Sequence, residues 1–305
     1  MRDPAAVKVL STRRYPGPAL AELDDLEVTP LSELDRPRDD VVGLVLANEP
    51  VPLELLPKLR IVANYGVGYD RVDVAACAER GVVVTNTPGV LDDATADLAF
   101  ALLLAARRQI VEGDRFVRAG EWTGSWSEGS LAEEVAGSTL GIVGLGRIGS
   151  AVARRAHGFS LRVLYTQRRR VETGLAEFRE LDDLFRESDL VSIHAPLTPD
   201  TEGMVDARLL SLLRDGACLV NTARGEIVDE AALTAELVSG RIRAGLDVFA
   251  HEPEVPADLL GLPNVVLTPH LGSATRQTRE RMTRLVVDNL LAVERGQPPL
   301  TPVSP

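Results

Sequence analysis

The chain has 305 residues, 26% of them charged and 45% apolar, an ordinary globular balance with length for two domains and a large buried core. Its formal net charge of −12 offers no basic field to displace phosphate counterions, which argues against a nucleic-acid partner. The same charge repels anionic ligands at long range, so any site for one must supply a local cation and backbone N–H groups.

Short β-branched runs predict strands at residues 7–10, 41–46, 60–63 and 82–85, with a helical pattern over 72–80 that stops at Gly81. Residues 92–108 read as one long helix with Asp92 or Asp93 near its cap. Its apolar core, 98–106, is too short to cross a bilayer and ends in Arg107-Arg108, so it reads as a buried helix. A second strand series follows at 140–143, 162–165, 190–194, 218–221 and 244–247, with a shorter one at 265–267. Residues 275–294 return to a helix, with Met282, Leu285, Val286, Asn289, Leu290 and Val293 along one side, and 296–305 read as irregular. Alternating strands and helices predict an α/β fold with parallel sheets. Cys77 and Cys218 stand far apart outside any CxxC spacing, so neither a disulfide nor a metal site is expected. With no apolar leader in Met1-Arg2-Asp3-Pro4, a cytoplasmic protein with no membrane contact is expected.

One segment carries a ligand signature. Leu140-Gly141-Ile142-Val143 runs into Gly144-Leu145-Gly146-Arg147-Ile148-Gly149 and then into a helical stretch ending near Gly158. In a strand–turn–helix, Gly144 permits the tight turn, Gly146 lets backbone approach a pyrophosphate, and Gly149 allows close helix–strand packing. The helix start adds unpaired N–H groups and a positive dipole end. This is a dinucleotide site, the alternative being a glycine-rich turn in another sheet. NAD sites place an acid about 20 residues on, at the ribose 2′-hydroxyl. Here stand Gln167-Arg168-Arg169-Arg170, with no acid until Glu172. Guanidinium groups pair with a 2′-phosphate, so NADP(H) is preferred over NAD(H), unless the arginines form only a solvated loop.

Further motifs run in order along the chain: Asn64-Tyr65-Gly66-Val67-Gly68, Asn86-Thr87-Pro88-Gly89-Val90, His194-Ala195-Pro196-Leu197-Thr198, Asn221-Thr222-Ala223-Arg224-Gly225, Gly245-Leu246-Asp247-Val248-Phe249, and Thr268-Pro269-His270-Leu271-Gly272-Ser273-Ala274-Thr275. With the glycine motif they closely resemble the D-isomer-specific 2-hydroxyacid dehydrogenase family, above all its glyoxylate/hydroxypyruvate reductases. The resemblance implies two Rossmann-like domains, a parallel-sheet cofactor domain (97–275) inserted in a flavodoxin-like substrate domain (1–96 and 276–305). Cofactor and substrate would lie in the interdomain cleft of a homodimer formed through the long helix. It assigns Arg224, Glu252 and His270 as catalytic. It places Leu145, Gly146, Arg147 and Ile148 at the pyrophosphate, with Gly144 and Gly149 in the same cofactor-binding motif, and Gln167, Arg168 and Arg169 at the adenosine phosphate. Ala195, Pro196 and Thr201 would border the adenine side, with Thr222, Ala223 and Asp247 at the nicotinamide and Gly272 also among the cofactor-binding residues. Asp247 would accept from the carboxamide. Gly66, Val67 and Gly68, with Arg224 and His270, would hold the 2-keto or 2-hydroxy acid.

The chemistry of the residues agrees. His270 can give the proton as hydride reaches the carbonyl carbon, and a buried Glu252 beside it would stabilise the imidazolium and fix its tautomer. Arg224 can clamp a carboxylate and polarise the carbonyl, though Arg224 with Glu252 could also be a plain salt bridge. His157 reads as a helix C-terminal cation, His194 as structural at the cofactor edge, and His251 as a neighbour of uncertain direction. The segment 122–131 departs from the family: ungapped counting puts Gly129 where mammalian-type hydroxypyruvate reductases carry a Trp reaching the partner's site. A bulkier keto acid, 3-phosphoglycerate, phosphite, or a dinucleotide-sensing corepressor role are the alternatives.

Overall fold

The computed structural model describes residues 8–124 and 131–304. They form two compact units, Met1–Leu91 with Ser273–Pro305, and Asp92–Gly272. These breaks fall at 91/92 and 272/273, where the sequence reading drew 96/97 and 275/276.

The first unit begins with β1 (Lys8–Ser11), β2 (Leu26–Val28), β3 (Val41–Leu46), β4 (Ile61–Asn64), α1 (Val74–Glu79) and β5 (Val83–Thr85). All pairings are parallel, in the order β2-β1-β3-β4-β5, the flavodoxin-like winding. Every residue of β4 is buried, as expected of a strand covered on both faces.

The second unit starts with α2 (Asp92–Arg107) and α3 (Ile110–Arg118) and continues through β6 (Thr139–Val143), α4 (Arg147–Gly158), β7 (Arg162–Thr166), β8 (Glu177–Phe178), α5 (Leu181–Glu187), β9 (Leu190–Ile193), α6 (Ala207–Leu212), β10 (Cys218–Asn221), α7 (Glu230–Val238), β11 (Arg243–Leu246) and β12 (Val265–Leu267). Its parallel sheet runs β12-β11-β10-β9-β6-β7-β8. The winding reverses on either side of β6, so the loop after β6 sits at the switch point where such sheets bind ligands. Helix α2 buries Ala96, Ala99, Phe100, Leu102, Leu103 and Ala106. It lies so close on β11 that a Cβ on Gly245 would stand 2.8 Å from that of Leu102. The last helix, α8 (Arg276–Glu294), returns to the first unit, with Thr275 capping it through a bond from the Thr278 N–H.

Two-residue β8, three-residue β2 and helix α3 have no counterpart in the sequence reading. The long helix read at 92–108 matches α2, and α3 follows it because Gln109 turns the chain at φ +52°, a conformation its residue type does not announce. The tail read as irregular makes one antiparallel bridge, Pro302 to Thr85. Both cysteines are buried and unpaired. Among the described residues no helix is long and apolar enough to cross a membrane, and no cluster could hold a metal ion.

Candidate active site

The glycine loop leaves the end of β6 and enters α4. Gly144 sits at φ +95°, and a Cβ there would come within 2.9 Å of the backbone of His194 and Ala195. A Cβ on Gly149 would stand 2.1 Å from Gly144 O, so packing excludes any side chain. Gly146 is different: a Cβ would meet nothing within 4 Å, so protein packing does not demand glycine there. That open space above the first-turn N–H groups of α4 fits a pyrophosphate. Thr222 Oγ1, buried without a hydrogen-bond partner among the described residues, is a second polar atom suited to a ligand.

At the end of β7, Gln167 joins two loops. Its Oε1 accepts the Leu145 N–H at 3.1 Å, and its Nε2 donates to Arg169 O at 2.7 Å. Arg168 and Arg169 are exposed, and neither has an ion-pair partner among the described residues. The Arg170 guanidinium lies 5.4 Å over the Phe178 ring. Thr201 folds the 196–201 loop on itself, donating to Pro196 O at 2.6 Å and accepting the Thr198 N–H at 2.8 Å. His194 contacts Ser192 Oγ at 2.7 Å, and burial pushes its imidazole down to about 4, so it stays neutral. His157 approaches Leu175 O at 3.0 Å near the end of α4.

Three chemical side chains stand beyond the ends of β10, β11 and β12. Asn221 closes the turn that carries Arg224, accepting the Ala223 N–H at 3.0 Å and donating to Arg224 O at 2.7 Å. The next residue must be glycine, because a Cβ on Gly225 would fall 2.0 Å from the Phe249 carbonyl carbon. That contact seats the Arg224 turn on the backbone leading to Glu252. His270 Nδ1 lies 2.8 Å from Glu252 Oε2, and Glu252 Oε1 accepts the Phe249 N–H at 3.2 Å. Burial would raise the Glu252 carboxyl, but the hydrogen bond and charge of His270, the Phe249 N–H and the Arg224 charge hold it below its ordinary value. Glu252 is not buried as expected: its side chain is 36% exposed and that of His270 49%. A carboxylate at Nδ1 holds the proton there, leaving Nε2 to exchange the other.

A family model for the D-isomer-specific 2-hydroxyacid dehydrogenase NAD-binding domain matches residues 100–272. The chain belongs to this family. Over 319 aligned positions it is 48% identical to a glyoxylate reductase of Pyrococcus horikoshii, covering 97% of this chain and 96% of that one. It is 47% identical to a glyoxylate reductase of Korarchaeum cryptofilum, covering 96% and 94%. Among solved structures, an NADPH-dependent glyoxylate/hydroxypyruvate reductase of Sinorhizobium meliloti, in complex with NADP and malonate, superposes with a TM-score of 0.89 at 38% identity, covering 98% of this chain and 97% of that one. The chain is thus an NAD(P)-dependent 2-hydroxyacid dehydrogenase.

One residue has a structural role that the family resemblance does not announce. Asp247 is completely buried, and its carboxylate accepts from Thr268 Oγ1 at 2.6 Å, Leu271 N at 2.7 Å and Gly272 N at 2.8 Å. The His270 N–H donates to Asp247 O at 2.9 Å, and His270 itself sits at φ +53°. Three protein donors take most of the acceptor sites of this carboxylate. It clamps the 268–272 loop that presents His270, and Gly272, also buried, is part of the clamp. Sequence reasoning gave no role to Asn221 or Thr268. The available signal was an Asn or Thr at a strand end, where such side chains fold the next turn. Trp126 and Gly129 lie outside the described residues.

Proposed function

We propose that this chain reduces small 2-keto acids, glyoxylate and hydroxypyruvate foremost, to D-2-hydroxy acids, with NADP(H) preferred over NAD(H). The observation that carries the reading is the His270–Glu252 pair at 2.8 Å beside the Arg224 turn. When bound, the dinucleotide supplies the hydride. Arg224 pairs with the substrate and polarises its carbonyl, supplying the cation that an acidic chain must provide locally. His270 gives its Nε2 proton to the oxygen as negative charge develops, and Glu252 stabilises the imidazolium and fixes the ring. The Gly66, Val67 and Gly68 turn is assigned to the substrate carboxylate.

The NADP(H) preference rests on two exposed guanidinium groups, Arg168 and Arg169, and no carboxylate at the end of β7. Glyoxylate and hydroxypyruvate are favoured by the named activities of the relatives. A homodimer is favoured by the exposed apolar side chains of Ile110, Val117, Trp122 and Leu131 around α3. Initial rates over a keto-acid panel with NADPH and NADH test the reading. Glyoxylate or hydroxypyruvate should exceed phenylpyruvate and 2-ketoisocaproate in kcat/KM. Bulky acids ahead by about tenfold, or 1.4 kcal/mol, would overturn the substrate assignment.

A further inference from the structure

The turn after β4 owes its conformation to two carboxamides. Asn64 is completely buried, and its Oδ1 accepts the Asn48 N–H at 2.7 Å. That bond orients the carboxamide so that Nδ2 donates to Gly66 O at 3.2 Å and Gly68 O at 2.9 Å. From the end of β5, Asn86 Nδ2 donates to Val67 O at 2.9 Å, and the Thr87 N–H adds a second bond to Gly66 O at 3.0 Å. Three successive carbonyls are thus drawn toward the strand ends. In a trans peptide the C=O of one residue and the N–H of the next point in opposite directions. The N–H groups of Val67, Gly68 and Tyr69 therefore all point away from Asn64 and Asn86, and none has an acceptor among the described residues. Successive unpaired N–H groups on one turn form an anion-binding concavity.

We propose that Asn64 and Asn86 are positioning residues that preset this turn as a three-donor carboxylate receptor, with the Tyr69 N–H as its third donor. The inference rests on the assignment of the turn to the substrate carboxylate. It explains how an acidic chain can hold an anionic acid without a lysine or arginine in the turn itself. Asn86 is braced in its place: Thr301 Oγ1 donates to Asn86 O at 2.6 Å, and Asn289 on α8 donates to Thr301 Oγ1 at 3.0 Å.

Asn64→Asp keeps the acceptor for Asn48 and replaces both donations with a carboxylate facing carbonyl oxygens. Asn86→Ala removes one donor at a half-buried position and covers the case in which Asn64→Asp does not fold. Steady-state kinetics with glyoxylate and NADPH, together with inhibition by oxalate, give the readout. The KM for glyoxylate and the inhibition constant of oxalate should rise about tenfold in Asn64→Asp and about threefold or more in Asn86→Ala, as expected for lost hydrogen bonds to an anion. The KM for NADPH and kcat at saturating glyoxylate should stay within about twofold, a split that general loosening would not give. A folded Asn86→Ala variant with unchanged glyoxylate KM overturns the proposal. So does a parallel loss of kcat and NADPH affinity. Wild-type protein that turns over no 2-keto acid instead marks failure of the functional reading, and the inference falls with it.

Discussion

Asp247→Asn separates a clamp from a cofactor contact. The carboxylate accepts three protein donors in a site without solvent. An asparagine oxygen can serve one side, but its NH2 must then face either Gly272 N–H, or Thr268 Oγ1 and Leu271 N–H. One bond to a charged acceptor is lost, worth about 1.5–3 kcal/mol, and a buried donor is left unsatisfied at about 1–3 kcal/mol. These terms overlap, and relief of the buried charge offsets part of them, since burial pushes the Asp247 carboxyl up against its three hydrogen bonds. A net loss of about 2–4 kcal/mol lowers the Tm by roughly 5–12 °C for a unit of this size. His270 hangs from the same loop, so kcat should fall by about 10²-fold, the order expected when a reacting group shifts by an ångström. Thermal unfolding followed by circular dichroism, steady-state kinetics and NADPH titration give the three readouts. An unchanged Tm with weakened NADPH binding would refute the clamp and restore the carboxamide contact.

His270→Ala should lower kcat by about 10²-fold or more with NADPH binding intact, because the proton is needed only in the transition state; stopped-flow rates near wild type would remove it from the mechanism. Glu252→Gln keeps an acceptor beside His270 Nδ1 but removes its charge, so kcat should fall while NADPH binding stays intact; an unchanged kcat would count against the pairing. Wild type should favour NADPH over NADH by at least about tenfold in kcat/KM, and replacing Arg168 and Arg169 together by alanine should erode that preference, which equal wild-type values would contradict. Gly149→Ala must push the Gly144 peptide out of the loop, so dinucleotide affinity should fall sharply in fluorescence titration, whereas Gly146→Ala should fold as the wild type does.

The strands of both sheets were legible because their runs of buried Val, Leu and Ile have few other uses, and the glycine loop because three glycines each answer a different constraint. Edge pieces were not: β2 has no fully buried residue, and β8 is only two residues long. The helix that follows α2 was hidden for another reason. Arg107-Arg108-Gln109 contains no glycine or proline, yet Gln109 takes the left-handed conformation and starts α3. At the site, residue types suggested the roles proposed for Arg224 and His270, but not what holds them. Asp247 carries an acceptor that a carboxamide could use. Only the fold shows the chain returning from β12 to place three donors on it.

The first unit is drawn from segments on both sides of the second, which turns an architectural fact into a timetable. Its five strands precede residue 92, while the helix that covers them, with Leu290 packed over Gly43, follows residue 272. At about 5–20 residues per second, the ribosome takes roughly 10–40 s to traverse the intervening unit. For that interval the sheet face around Val9, Gly43 and Ile61 waits uncovered while the continuous second unit can already complete its own core. The nascent chain therefore matures from the middle outward, and a chaperone that shields the waiting sheet would act before α8 emerges.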